Sequence, residues 1–225
     1  MSIQFATDSG RVGEADPRML DGKGFGILKP LLIAQKPAQE TYAEMRQDAA
    51  FQAPLSYQAI RVDDFEALLL PGGHAKRVTP YLESPVLQRV IAAFFAAGKP
   101  VGAICHGVVA ACRAKDPETG RSVLFGRKTT ALLKRQERLA YQLTRINLGD
   151  YYLTYPVTTQ DEVTAALAAK DDFIEGPLPV LRDDMDHLGR GFTVRDGNYL
   201  SARWPGDVYR FSTEFLEMLR ESSAP

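Results

Sequence analysis

"KPVGAICHGVVAACRA", residues 99–114, reads as a buried strand that runs into a cysteine and then into the first turn of a helix. Two readings of that thiol compete: a core cysteine that ends a strand, or a nucleophile held on a sharp turn. Two residues before Cys105 is Ala103 and two after is Gly107. A strand that turns abruptly into a helix needs small neighbours at those places. A thiol near a helix N-terminus faces unpaired N–H groups that favour the thiolate, so this reading expects a lowered pKa for Cys105. The amides of His106 and Gly73 could then both point at a developing oxyanion. Taken alone, a cysteine ending an apolar strand is more often a small buried hydrophobe.

The surroundings shift that balance. Upstream, "ALLLPGG" (67–73) is an apolar run stopped by Pro71, Gly72 and Gly73, as a buried strand would be. Between the two runs lies a helical pattern. Ser84 is its N-cap, Pro85 its first-turn proline, and Gly98 its end, with Val86, Leu87, Val90, Ile91, Phe94 and Phe95 on one face. "IQFAT" (3–7) predicts a short strand ahead of the glycine-rich "DGKGFG" (21–26). Downstream, "GRKTTALL" (126–133) predicts a strand, and Thr159 with Glu162 has the spacing of a capping box that opens a helix. "GFTVRDGNYLSA" (191–202) alternates about Asp196-Gly197 and predicts a hairpin. A final helix follows Trp204-Pro205, with Val208, Phe211, Phe215 and Leu219 inward. Alternating strands and helices argue for a parallel sheet covered on both faces. Ligands in such sheets bind beyond the carboxyl ends of the strands, where "LLLPGGH" and "GAICHG" both place their polar residues.

Composition bounds the function. Apolar residues make up 45% and charged residues 24% of 225, with no repeat or linker, so one domain over 1–225 is expected. A net charge of -1 gives no field that would favour nucleic acid or an anionic membrane. No apolar run approaches the ~18 residues of a membrane span. The start, "MSIQFATDSG", lacks the pattern of a signal peptide, and two cysteines seven apart make no disulfide framework, so a cytoplasmic protein is expected. Three scattered histidines make no zinc set, and neither metal nor cofactor is expected.

"ALLLPGGH" followed by a helix and "KPVGAICHG" resembles the ThiJ/PfpI superfamily, relatives of the class I glutamine amidotransferases. The resemblance implies a flavodoxin-like α/β sandwich with a mostly parallel sheet and a nucleophilic cysteine at Cys105. It implies an oxyanion site from the amides of Gly73 and His106, with Gly72 and His74 facing the substrate at the mouth. In the branch of the heat-inducible chaperones the histidine after the cysteine, here His106, joins a triad. Counting along the next strand from Gly126 gives Glu137 as its acid. A solvated helical face is the other reading of Glu137, and Asp150 is the reserve. His187 is expected at the surface and Cys112 in the core. The family pattern also carries a strand and helix before the segment matching "IQFATDSG". They supply a central strand and a glutamate against the thiol, and the sequence as read, from Met1, lacks them.

A Cys105 thiolate can add to an aldehyde or an acyl carbon while His106 moves the proton and two amides hold the oxygen. With α-oxoaldehydes this is a glyoxalase III or deglycase-like conversion to 2-hydroxy acids. With amides or peptides it is a PfpI-type amidase or peptidase. A non-enzymatic chaperone or thiol stress sensor is the alternative of another class. Residues 11–35 and 144–156 could cap the site, which favours a small carbonyl substrate. The resemblance also implies a homodimer.

Overall fold

Val101–Ile104 is buried along its whole length, and the molecule is layered about it. The computed structural model describes residues 2–222. The strands are β1 (Ala6–Thr7), β2 (Leu55–Ser56), β3 (Leu68–Leu70), β4 (Val101–Ile104), β5 (Thr193–Asp196) and β6 (Tyr199–Ala202). The last four form one sheet in the order β3-β4-β6-β5, parallel except for the β5–β6 hairpin. Six helices matter here: α1 (Lys36–Met45), α2 (Pro85–Ala96), α3 (Gly107–Arg113), α4 (Lys134–Leu148), α5 (Thr159–Ala166) and α6 (Val208–Ser222).

Side chains alternate across a strand, and here both faces of β4 are apolar. Val101 and Ala103 pack with Ile91, Phe94 and Val108 under α2 and α3, whereas Ile104 packs with Phe211 and Phe215 of α6. Gly102 completes the second face: a Cβ there would stand 2.9 Å from the Phe215 ring. The stacked Phe211–Phe215 pair therefore sits directly on bare backbone.

The expected α2 is present with its cap, Ser84 Oγ accepting from the Leu87 N–H at 3.3 Å. The hairpin turns at Gly197, whose φ is +58°. Helix α5 starts one residue earlier than the capping-box spacing places it: Thr158 is the cap and accepts from the Asp161 N–H. The 126–133 strand is not formed. Only Thr129 makes a parallel bridge, to Phe173. Its neighbours donate to side chains instead, Lys128 N–H to Asp196 Oδ2 and Thr130 N–H to Ser201 Oγ, so hairpin side chains take the place of a ladder.

β1 and β2 form a separate parallel pair, shorter than the run 3–7 predicts. Among the described residues β3 has no strand on its outer side. The outer edge of β3 and residues Phe5 and Ala6 line one cleft, and Leu69, in the middle of β3, is 49% exposed there.

Gly107, first residue of α3, lies against the end of β3. A Cβ on it would run into Leu70 O and come within 2.7 Å of Pro71 O, both of them backbone atoms that cannot swing away. Gly107→Ala is expected to cost about 1–3 kcal/mol in urea unfolding, the range for overpacking. Gly13→Ala, with open space around it, should stay within about 0.5 kcal/mol.

Candidate active site

Cys105 has a φ of 58°, and among the described residues it is the one non-glycine with positive φ. For a residue with a Cβ this conformation costs about 1–2 kcal/mol, so the surroundings must impose it. The Cys105 N–H donates to Ala202 O of β6 at 3.0 Å, and its carbonyl accepts from the Val108 N–H at 3.2 Å, the first turn of α3. The chain thus turns from β4 into α3 within one residue, and the side chain emerges on the wall of the cleft. Gly72 lies opposite: a Cβ on it would stand 2.6 Å from the Cys105 Cβ and 3.4 Å from its Sγ. The tight approach is therefore at Gly72. At Gly73 an added Cβ would make only ordinary contact with Val78. The Gly73 N–H has no acceptor among the described residues, which leaves it free to hold an oxygen bound at the thiol.

The structure brings Cys105, His106, Gly72, Gly73 and His74 together. Sγ lies 3.5 Å from His106 Nδ1. His106 is 1% exposed, and burial, followed by the charges of His74 and Arg113, lowers its pKa to about 3, so the imidazole is neutral. The thiol departs from the sequence-based expectation. Burial pushes it up to about 12, against the lowering effect of the His106 amide, with Glu137 and Asp207 adding to the rise. The physical reason is that one amide at the head of a seven-residue helix does not offset loss of water from a group 9% exposed. Cys112 lies in the core behind it, and burial pushes its thiol up to about 12 as well.

The expected acids lie elsewhere. Glu137 is buried in the first turn of α4, and its Oε2 accepts from the Thr159 N–H at 2.9 Å, at the head of α5. It does not contact His106, whose Nε2 faces Thr154 Oγ1 at 3.2 Å. Glu137 is not a solvated face either. It lines the cleft, its charge reaches the Cys105 thiol, and burial pushes its own carboxyl up to about 7. Asp150 is exposed and paired with Lys76, which holds its carboxyl below the usual range. His187 is exposed and paired with Asp184.

The two capping segments meet over His74. Its ring stacks on Tyr152 at 4.4 Å and meets Tyr151 edge-on at 4.9 Å, while Phe25 packs against both tyrosines. The Tyr151 hydroxyl donates to Asp16 Oδ2 at 2.7 Å. Burial lowers the His74 pKa to about 4, and its Nε2 is buried with no partner. On the far side Trp204 lines the cleft, with the Arg182 guanidinium 5.3 Å from its ring and Gly206 packed behind it. Thr154 and Asp16 carry no motif that the sequence could have revealed, because their roles depend on side chains distant in the chain. No helix among the described residues is long and apolar enough to cross a membrane.

Residues 1–177 match the family model described as ThiJ/PfpI family-like. A deglycase of Thermococcus kodakarensis is 30% identical over 166 residues, 74% of this chain and 69% of that protein. The deglycase PfpI of Pyrococcus furiosus is 27% identical over 170 residues, with the same coverage. The crystal structure of glyoxalase III from Candida albicans superposes with a TM-score of 0.65 at 18% identity, over 96% of this chain and 79% of that one. The 24 kDa rapid encystment protein of Francisella tularensis gives 0.63 at 18% identity, over 85% and 75%. These likenesses establish a flavodoxin-like α/β fold.

Two measurements check the site. Both thiols are protonated at neutral pH, so iodoacetamide labelling should be slow and accelerate with pH. Cys105 should react first, because it opens to the cleft and Cys112 does not. Peptide mass spectrometry showing Cys112 labelled first would overturn the assignment. The raised Glu137 carboxyl makes folded protein bind a proton that unfolded protein releases near the ordinary glutamate value of 4.5. Its contribution to stability is therefore full below that pH and lost as pH rises through about 7. Relative to Glu137→Gln, the wild type should lose roughly 3 kcal/mol between pH 4 and 8, at ~1.4 kcal/mol per pKa unit.

Proposed function

The chain belongs to the ThiJ/PfpI-like family, and from that premise we propose that it is a cysteine-dependent enzyme acting on small carbonyl compounds. The reading is a glyoxalase III or deglycase-like conversion of α-oxoaldehydes to 2-hydroxy acids. The observation that carries it is Cys105 Sγ, held on a left-handed turn at the cleft wall, 3.5 Å from the Nδ1 of a neutral imidazole. The curated relatives named as deglycases, and the likeness in fold to a glyoxalase III, support that chemistry.

The thiol adds to the aldehyde carbon as its proton passes to His106 Nδ1, giving a hemithioacetal. The oxygen that gains charge is held by the amides of Gly73 and His106. Hydrogen then moves from the aldehyde carbon to the neighbouring ketone carbon. One carbon is oxidised as the other is reduced, so no external oxidant is needed. The proton held by His106 passes to the former ketone oxygen, and water cleaves the resulting thioester, its hydroxyl joining the acyl carbon and its proton restoring the thiol, to leave the 2-hydroxy acid. Glu137, a carboxyl held near 7 on the same wall, is suited to move protons in that transfer. In this reading it works on the substrate and not by orienting His106. The aromatic cover of Tyr151, Tyr152 and Phe25 over His74 favours a small substrate at the Gly72–His74 mouth.

Incubation with methylglyoxal should give lactate, and Cys105→Ser should reduce the rate to background while the thermal melt stays in place. Absence of lactate with ammonia released from simple amides would move the assignment to an amidase. Absence of both would leave a binding protein.

A further inference from the structure

A threonine hydroxyl carries one proton, and the place of that proton at Thr154 can be deduced. Thr154 Oγ1 lies 2.6 Å from the His74 carbonyl oxygen and 3.2 Å from His106 Nε2. A carbonyl oxygen can only accept, so the hydroxyl proton goes to His74 O and only lone pairs of Oγ1 face the ring. A bare Nε2 at that place would set two acceptors against each other in a site closed to water, the arrangement buried polar groups avoid. Nε2 therefore carries the hydrogen and donates it to Thr154. The ring is neutral and has one N–H to give. Its Nδ1, which faces Cys105 Sγ, is left with a lone pair.

We propose that Thr154 is a positioning residue that fixes His106 in the Nε2–H tautomer and so makes Nδ1 the acceptor of the Cys105 proton. The consequence for turnover rests on the proposed reaction; the tautomer does not. The same hydroxyl ties three separate segments together: the loop after β3 that carries Gly73 and His74, the turn at Cys105-His106, and the 144–156 segment that supplies Thr154. Thr154 is itself buried, so water does not readily replace it.

The experiment uses the full chain with 15N-labelled histidine. In the wild type, the His106 ring nitrogens should show a protonated-type shift at Nε2 and an unprotonated one at Nδ1 near neutral pH. Thr154→Ser keeps the hydroxyl and should keep both the tautomer and the activity. Thr154→Val keeps the shape, and there the proton should redistribute toward Nδ1. Its kcat on methylglyoxal should fall by about 10²-fold or more with KM little changed, the scale of a lost proton-transfer partner. Iodoacetamide labelling of Cys105 should slow in the valine variant and recover in the serine variant, a readout that needs no substrate. A wild-type proton on Nδ1 would overturn the proposal even if the valine variant failed to fold. So would a folded valine variant with unchanged tautomer and labelling rate. Absence of methylglyoxal turnover beside an Nε2–H ring would count against the reaction and leave the positioning role standing.

Discussion

The site depends on one residue held in the left-handed region of backbone space, Cys105. An isolated chain does not keep such a conformation at a residue with a Cβ, because the local preference runs against it by about 1–2 kcal/mol. Three neighbours impose it. Ala202 O takes the Cys105 N–H, Gly107 brings α3 against the carbonyls that end β3, and Gly72 leaves room for the cysteine Cβ. They lie at the end of β6, at the head of α3 and in the loop after β3. The turn is therefore a product of the assembled β3-β4-β6 core, and the thiol reaches its place only when that core is complete.

Around that turn, burial and not charge sets the resting state. Cys105 is pushed toward the thiol, His106 toward neutral imidazole and Glu137 toward the protonated acid, and loss of water is the leading cause in all three. A site built this way holds no standing thiolate. In the proposed reaction the thiol is activated only as a substrate arrives, when proton transfer to Nδ1 and addition to the carbonyl occur together and the amides receive the new charge. The same protonated thiol resists adventitious oxidation, which weighs against a sensor role that depends on a ready thiolate.

What the sequence made legible followed from local rules. Helix α2 was readable because Ser84, Pro85 and Gly98 each do their work within a turn of their own position. The hairpin was readable because Asp196-Gly197 satisfies a turn requirement by itself. The run 126–133 has strand composition, yet Asp196 and Ser201 side chains take the N–H groups of Lys128 and Thr130. No pattern within those eight residues records that. The thiol pKa failed for a related reason: the helix-end effect is local and visible, whereas desolvation depends on everything folded over Cys105. Glu137 and Thr154 repeat the lesson. The family resemblance implied a carboxylate behind the imidazole, but a hydroxyl from a capping segment occupies Nε2, and the Glu137 carboxyl caps α5 while lining the cleft.

Trp204 gives the molecule an optical property that follows from its position. It is the one tryptophan in the chain, two residues beyond the carbonyl that anchors the Cys105 amide, and its ring forms part of the cleft wall. An indole beside the Arg182 guanidinium, with Gly206 at its back, has an emission set by a few nearby groups. Intrinsic fluorescence therefore reports on this small neighbourhood of β6 and the cleft and not on an average over the protein. Filling of the cleft and loosening of the turn both register in the same signal, with no label added.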